Sequence, residues 1–167
     1  RMSNSSDFGG VSLLELFKLE AESHGAALSA GLLAWERTPT DRSLIEPLMR
    51  AAHSIKGAAR IVGLDLFVPL AHSMEECFLA ARDAREPLTP ARVDQLLKCV
   101  DVISELKSLS DADLAAWVSA RSEHIAGLVT QLSSPVPQAS VAVTAPPASV
   151  VPPAAPSPAA PPPAQVD

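Results

Sequence analysis

The feature that most limits what this chain can build is an abrupt change of composition near Ser133. Beyond that point Pro, Ala, Val and Ser dominate, and the only charge is the terminal Asp167. Runs such as Pro146-Pro147, Pro152-Pro153 and Pro161-Pro162-Pro163 remove backbone donors and favour extended polyproline conformations. Such a stretch cannot close on a packed core. Residues 133–167 are therefore predicted to be a disordered, semi-rigid Pro/Ala-rich linker leading to further domains of a longer protein. At the other end Arg1 precedes Met2, the expected native start, and residues 1–11 are predicted to be a disordered, polar N-terminus. What remains, 12–132, suits one compact domain.

That middle stretch reads as helices throughout. A first helix is predicted from about Ser12 to Trp35, with Leu13, Leu16, Phe17, Leu28 and Leu32 among its apolar positions. Thr38-Pro39-Thr40-Asp41 breaks it, and Thr40 or Asp41 can cap the next helix. The second carries Ile45, Leu48, Met49, Ala52, Ile55, Ala59 and Val62 at spacings of three and four, one buried stripe, and Gly63 stops it. A third, about Leu66 to Ala84, buries Phe67, Leu70, Ala71, Met74, Phe78 and Ala81. Thr89-Pro90 opens a fourth, running to about Ser108, since Thr caps well and Pro suits the first turn. Ser110 or Asp111 can cap a fifth, with Leu114, Trp117, Ile125, Leu128 and Leu132. No alternating strand pattern interrupts them. Short connections favour antiparallel neighbours, so the expected fold is all-α: an up-and-down four-helix bundle with an additional C-terminal helix.

Composition excludes several function classes. A formal charge of −6 and a pI near 5.2 argue against nucleic acid, which needs clustered Lys and Arg. No apolar run is long enough to span a bilayer, and no secretory leader is visible, so no membrane partner is expected. Cys77 and Cys99 sit inside helical patterns rather than in a disulfide framework, which points to a reducing cytoplasm. No Gly-rich phosphate loop appears, so the chain is not expected to be a complete enzyme or to hold a cofactor of its own.

The informative segment runs from Ala52 to Gly63. At about 100° per residue the buried stripe centres near Ala52 and Ala59, which turns His53 roughly 120° away, toward solvent. An outward imidazole is a usable nucleophile that can take up a phosphoryl group and later release it. Lys56, three residues on, rises over the same face and can offset phosphate charge. Gly57, four residues on, costs about 1 kcal/mol against Ala inside a helix, and clearance beside the imidazole is a reason to keep it.

His53-Ser54-Ile55-Lys56-Gly57, with Gly63 ending the helix, resembles the signature of histidine-phosphotransfer domains. It most resembles the version at the N-terminus of CheA-type chemosensory kinases, in a Wsp-like, surface-sensing flavour. Leu70-Ala71-His72-Ser73-Met74-Glu75 resembles the family's second element, His-x-x-Glu. The resemblance implies that Glu75 hydrogen-bonds Nδ1 of His53, that Nε2 takes the phosphoryl group, and that His72 stands beside the pair as a supporting polar residue. It further implies a donor, the ATP-binding domain of the same kinase working with Mg-ATP. It implies an acceptor too, an Asp on a response-regulator receiver domain. The surface around His53, with Arg50, Ser54, Ala58 and Arg60, would dock these partners. Ala58, Ala59 and Arg60 depart from the small residues common after the Lys-Gly pair, and Arg60 could add a second cation. The rival readings are a non-catalytic helical interaction module and a free-standing relay protein. A metal site on His53, His72, Glu75 and Cys77 is disfavoured, because Cys77 falls on the apolar stripe. His24 and His124 read as surface residues, and Trp35 and Trp117 as packing residues.

Overall fold

The computed structural model describes residues 12–135, all of whose regular elements are helical. The expected disordered N-terminus and most of the expected linker lie outside those residues. Helix α1 spans Leu13–Arg37, α2 Ile45–Val62, α3 Phe67–Arg82, α4 Pro90–Glu105 and α5 Asp111–Ser133. One-turn 3-10 segments sit at Arg42–Leu44 and Leu106–Ser108. Helices α1 to α4 form the bundle, with α2 between α1 and α3, and α5 packs along α3 and α4.

Local chemistry fixes the ends. Ser12 accepts from the Glu15 N–H while Glu15 accepts from the Ser12 N–H, a complete capping box. Asp41 caps the 3-10 turn rather than α2 itself, accepting from the Ser43 N–H, so α2 starts three residues later than a cap at Asp41 would place it. Thr89 caps α4 with Pro90 in the first turn, and Ser110 caps α5 through the Asp113 N–H. Gly63 closes α2 at φ +72°. Its N–H donates to Arg60 O and that of Leu64 to Ala59 O, the paired bonds of a Schellman closure. Any L side chain at that φ would be strained.

The core is aliphatic with a few rings. Phe17, Leu28, Leu32, Ile45, Leu48, Ile55, Phe67, Leu70, Met74, Phe78, Leu96 and Ile103 are fully buried. Each contributes about 1.5–3 kcal/mol of transfer free energy. Leu16, expected inside, is 40% exposed. The buried row of α1 instead runs Phe17, Ala21, Leu28, Leu32 and Trp35, and Leu16 lies off it. Met49 and Val62 are only partly buried, at the margins of the α2 stripe, where Ala51 is buried in addition.

Helix α5 is held along its whole length. At its start Lys18 of α1 donates to Leu109 O (2.6 Å) and pairs with Asp111 (3.2 Å). In its first half Trp117 stacks on Phe67, centroids 5.9 Å apart and planes within 4°, and its Nε1 donates to Glu105 (3.1 Å). At its end the buried Arg92 donates to the carbonyls of Gln131, Leu132 and Ser134, and pairs with Glu86 (2.7 Å). The Leu132 carbonyl is one of the acceptors a helix terminus leaves without a backbone partner within the helix. Trp35 is also a packing residue, donating from Nε1 to Leu88 O. Cys77 and Cys99 are free thiols, pushed by burial up to about 11 and about 12 respectively.

Candidate functional site

The site lies on the seam between α2 and α3. The Gly63 closure turns the chain back through residues 63–66, so α3 returns beside α2 and brings Glu75 level with His53. The His53 side chain is 65% exposed, while Glu75 and Lys56 are mostly covered, at 17% and 15%. An exposed imidazole thus stands outward on a charged pair that is itself sheltered.

Glu75 joins the two neighbours. Its Oε1 lies 2.8 Å from His53 Nδ1, and its Oε2 accepts from Lys56 Nζ. Burial alone would raise the Glu75 carboxyl. The hydrogen bonds from Lys56 and His53, with their charges, more than offset that and hold it below the ordinary carboxylate range. An ionised carboxylate only accepts, so Nδ1 must carry the proton in this contact. In the neutral imidazole that leaves the Nε2 lone pair on the solvent side, with no protein partner among the described residues. A shallow hollow of about 390 Å³, lined by Met49, Arg50, His53, Ser54 and Glu75, opens there.

The other residues singled out in the sequence fall as follows. Gly57 is exposed, and a Cβ placed on it would meet nothing within 4 Å, so the surface beside His53 is bare. Arg50 is exposed and pairs with Glu46 (3.2 Å). Ser54 and Ala58 are half-buried, and Arg60 is exposed at the C-terminal end of the same helix. His72 is exposed on the turn of α3 before Glu75 and makes no hydrogen bond to His53, Lys56 or Glu75. The Cys77 thiol turns to the other side of α3, toward Leu132 O at 3.8 Å. No group of three or more metal-binding side chains is assembled among the described residues. His24 is less exposed than expected and contacts Glu20 at 3.0 Å.

Sequence reasoning missed two residues near the site and one far from it. Met49 lines the hollow although its spacing placed it in the core. Ile61 is 73% exposed on α2, about two turns beyond His53. The signal for Ile61 was present: it falls outside the three-and-four spacing of the buried stripe. Arg92, 2% exposed, carried no signal, because its partners are backbone carbonyls some forty residues away.

Comparison with known proteins bears on this geometry. The Hpt domain family matches residues 12–106. The chain is 31% identical over 136 residues to the chemotaxis protein CheA of Treponema pallidum, covering 81% of this chain and 16% of that protein. It is 31% identical over 94 residues to the sensor histidine kinase CheAY of Helicobacter pylori, covering 56% and 12% respectively. The chain thus spans less than a fifth of the length of these relatives. Among solved structures it resembles the phosphorylated P1 domain of CheA3 in complex with CheY6 from R. sphaeroides. The TM-score is 0.55 at 24% identity, covering 72% of this chain and 98% of that one, and the likeness is one of fold.

Proposed function

The chain belongs to the Hpt domain family, and on that premise we propose that it is a phosphoryl carrier whose reactive atom is Nε2 of His53. The observation that carries the proposal is the contact of Glu75 with Nδ1, which engages that nitrogen and leaves the opposite one facing solvent without a protein partner among the described residues.

The steps balance without a proton leaving the ring. The Nε2 lone pair attacks the γ-phosphorus of Mg-ATP held by a kinase ATP-binding domain. The bond from phosphorus to the bridging oxygen breaks, and its electron pair leaves with ADP. Nδ1 keeps its proton, and the positive charge that the ring acquires falls against the Glu75 carboxylate. Lys56 holds that carboxylate in place and supplies a cation near the incoming oxygens. In the second step an aspartate carboxylate of a response-regulator receiver domain attacks phosphorus. The N–P bond breaks, and its electron pair returns to Nε2.

In this reading His53 is the catalytic residue, Lys56 a charge stabiliser and Glu75 the orienting group. Gly57 provides clearance, and His72 is a polar neighbour of the approach. Arg50, Ser54, Ala58 and Arg60 form the docking surface. The donor domain and the receiver are the two partners, the former within the same longer protein. A cytoplasmic setting suits two thiols kept reduced inside helices, and no described helix is long and apolar enough to cross a membrane.

The test is labelling. Incubated with the kinase core and γ-labelled ATP, the chain gains acid-labile label, and His53→Gln gains none while keeping its helical circular dichroism. Label persisting in His53→Gln would move the site elsewhere and defeat the proposal.

A further inference from the structure

Ile61 is the most exposed large hydrophobic residue in the described chain, at 73%. An isolated apolar residue on a surface is ordinary and asks for no function. Three features separate Ile61 from Leu16, Leu19 and Leu33, which lie on α1, away from His53. It stands eight residues after His53 on α2, about 12 Å along the axis at 1.5 Å per residue and about 80° around it at about 100° per residue. Between them Gly57 leaves a bare saddle, where an added Cβ would meet nothing within 4 Å beyond the adjacent residues and the helix's own backbone. Arg60, exposed and without an ion-pair partner among the described residues, adjoins Ile61, whereas Arg50 and Lys56 on the same helix are paired with Glu46 and Glu75. An unpaired cation beside one apolar knob on a rigid helix is a docking pattern: charge steers the encounter and the knob, once desolvated, supplies the contact.

We propose that Ile61 is the apolar anchor by which the acceptor, a receiver domain, seats on the carrier, and hence a residue that sets which acceptor is served. The inference rests on the carrier reading above and deepens it. The acceptor is favoured over the ATP-binding domain on two grounds. A carboxylate that takes a phosphoryl group with Mg²⁺ is built among other carboxylates, which match the Arg60 cation beside Ile61. A donor tethered in the same protein works at raised effective concentration and needs little docking affinity, whereas a freely diffusing acceptor must supply its own. One modest apolar contact also suits a complex that must dissociate quickly.

The experiment uses the whole chain, labelled on His53 by the kinase core and ATP. The label is chased into an isolated response-regulator receiver domain that the unsubstituted chain serves, in Mg²⁺, over a range of receiver concentrations. Ile61→Asp is expected to raise the KM for the receiver about tenfold or more while the saturating transfer rate falls less than twofold. Ile61→Val should restore the KM to within about threefold of the unsubstituted value. The loss in kcat/KM for the receiver should exceed any loss in the labelling rate by about tenfold. An unchanged receiver KM in Ile61→Asp, or equal losses in both half-reactions, overturns this inference and leaves the carrier reading standing. Failure of the unsubstituted chain to take label or pass it on overturns the carrier reading, and the anchor falls with it. The side chain is largely in solvent, so a melting temperature lowered by more than about 4 °C would mark Ile61 as structural and likewise refute its role as an anchor.

Discussion

Two polar clusters sit on opposite flanks of α3 and differ in burial and in the state of their donors and acceptors. On the α5 side, the Arg92 guanidinium spends its donors on Glu86, Gln95 and three backbone carbonyls, and it is buried. On the α2 side, His53 has one partner at Nδ1 and none at Nε2 among the described residues, and it faces water. Both clusters pair a cation with a carboxylate, so charge alone does not tell them apart. The fully satisfied cluster fixes where a helix ends. The half-satisfied one leaves a ring nitrogen turned to water, with the imidazole held at Nδ1 by Glu75 and Glu75 in turn by Lys56.

Substitutions can break this contrast. The largest effect on stability is expected from Arg92→Met. It strips the last carbonyls of α5 of their donor and leaves Glu86 unpaired at the rim. A loss of about 2–3 kcal/mol follows, read as a lower urea midpoint. The rate at which folded molecules take label should stay within about twofold. A large drop in that rate would show that the two clusters are coupled and that the contrast is false. Glu75→Gln has the opposite signature. The amide preserves shape but removes the charge that faces the ring, so labelling by the kinase core should slow by at least about tenfold. Its urea midpoint should move little. An unaltered rate would remove Glu75 from the mechanism. The smallest effect sharpens the picture. Gly57→Ala, with open space around the added methyl, should raise stability by up to about 1 kcal/mol. If the bare saddle serves docking, transfer slows in the same variant. A gain in stability with no change in transfer would reduce Gly57 to a tolerated imperfection.

How much of this was legible in the sequence follows from the range of the forces involved. The helices were readable because spacing, caps and stops act within a few residues: Ser12, Thr89-Pro90, Ser110 and Gly63 each mark a boundary found in the structure. The outward turn of His53 followed from the phase of the Ala52 to Ala59 stripe alone. Its closeness to Glu75 did not, since that contact crosses two helices and came into view only through family resemblance. The packing of α5 was not readable, because Lys18 and Arg92 act on backbone carbonyls distant in sequence, and a carbonyl has no residue identity. Leu16 misled because an apolar residue near a helix start looks like core, whereas the row of α1 that faces the bundle is set by Phe17 and Ala21.

The central claim is that Glu75 keeps the proton on Nδ1 of His53 and so assigns the phosphoryl group to Nε2. Nitrogen-15 spectroscopy of the phosphorylated, histidine-labelled chain tests this directly. The prediction is phosphorus coupling to Nε2 of His53, with a protonated Nδ1. Coupling to Nδ1, or a phosphorylated His72 with His53 unmodified, would contradict it.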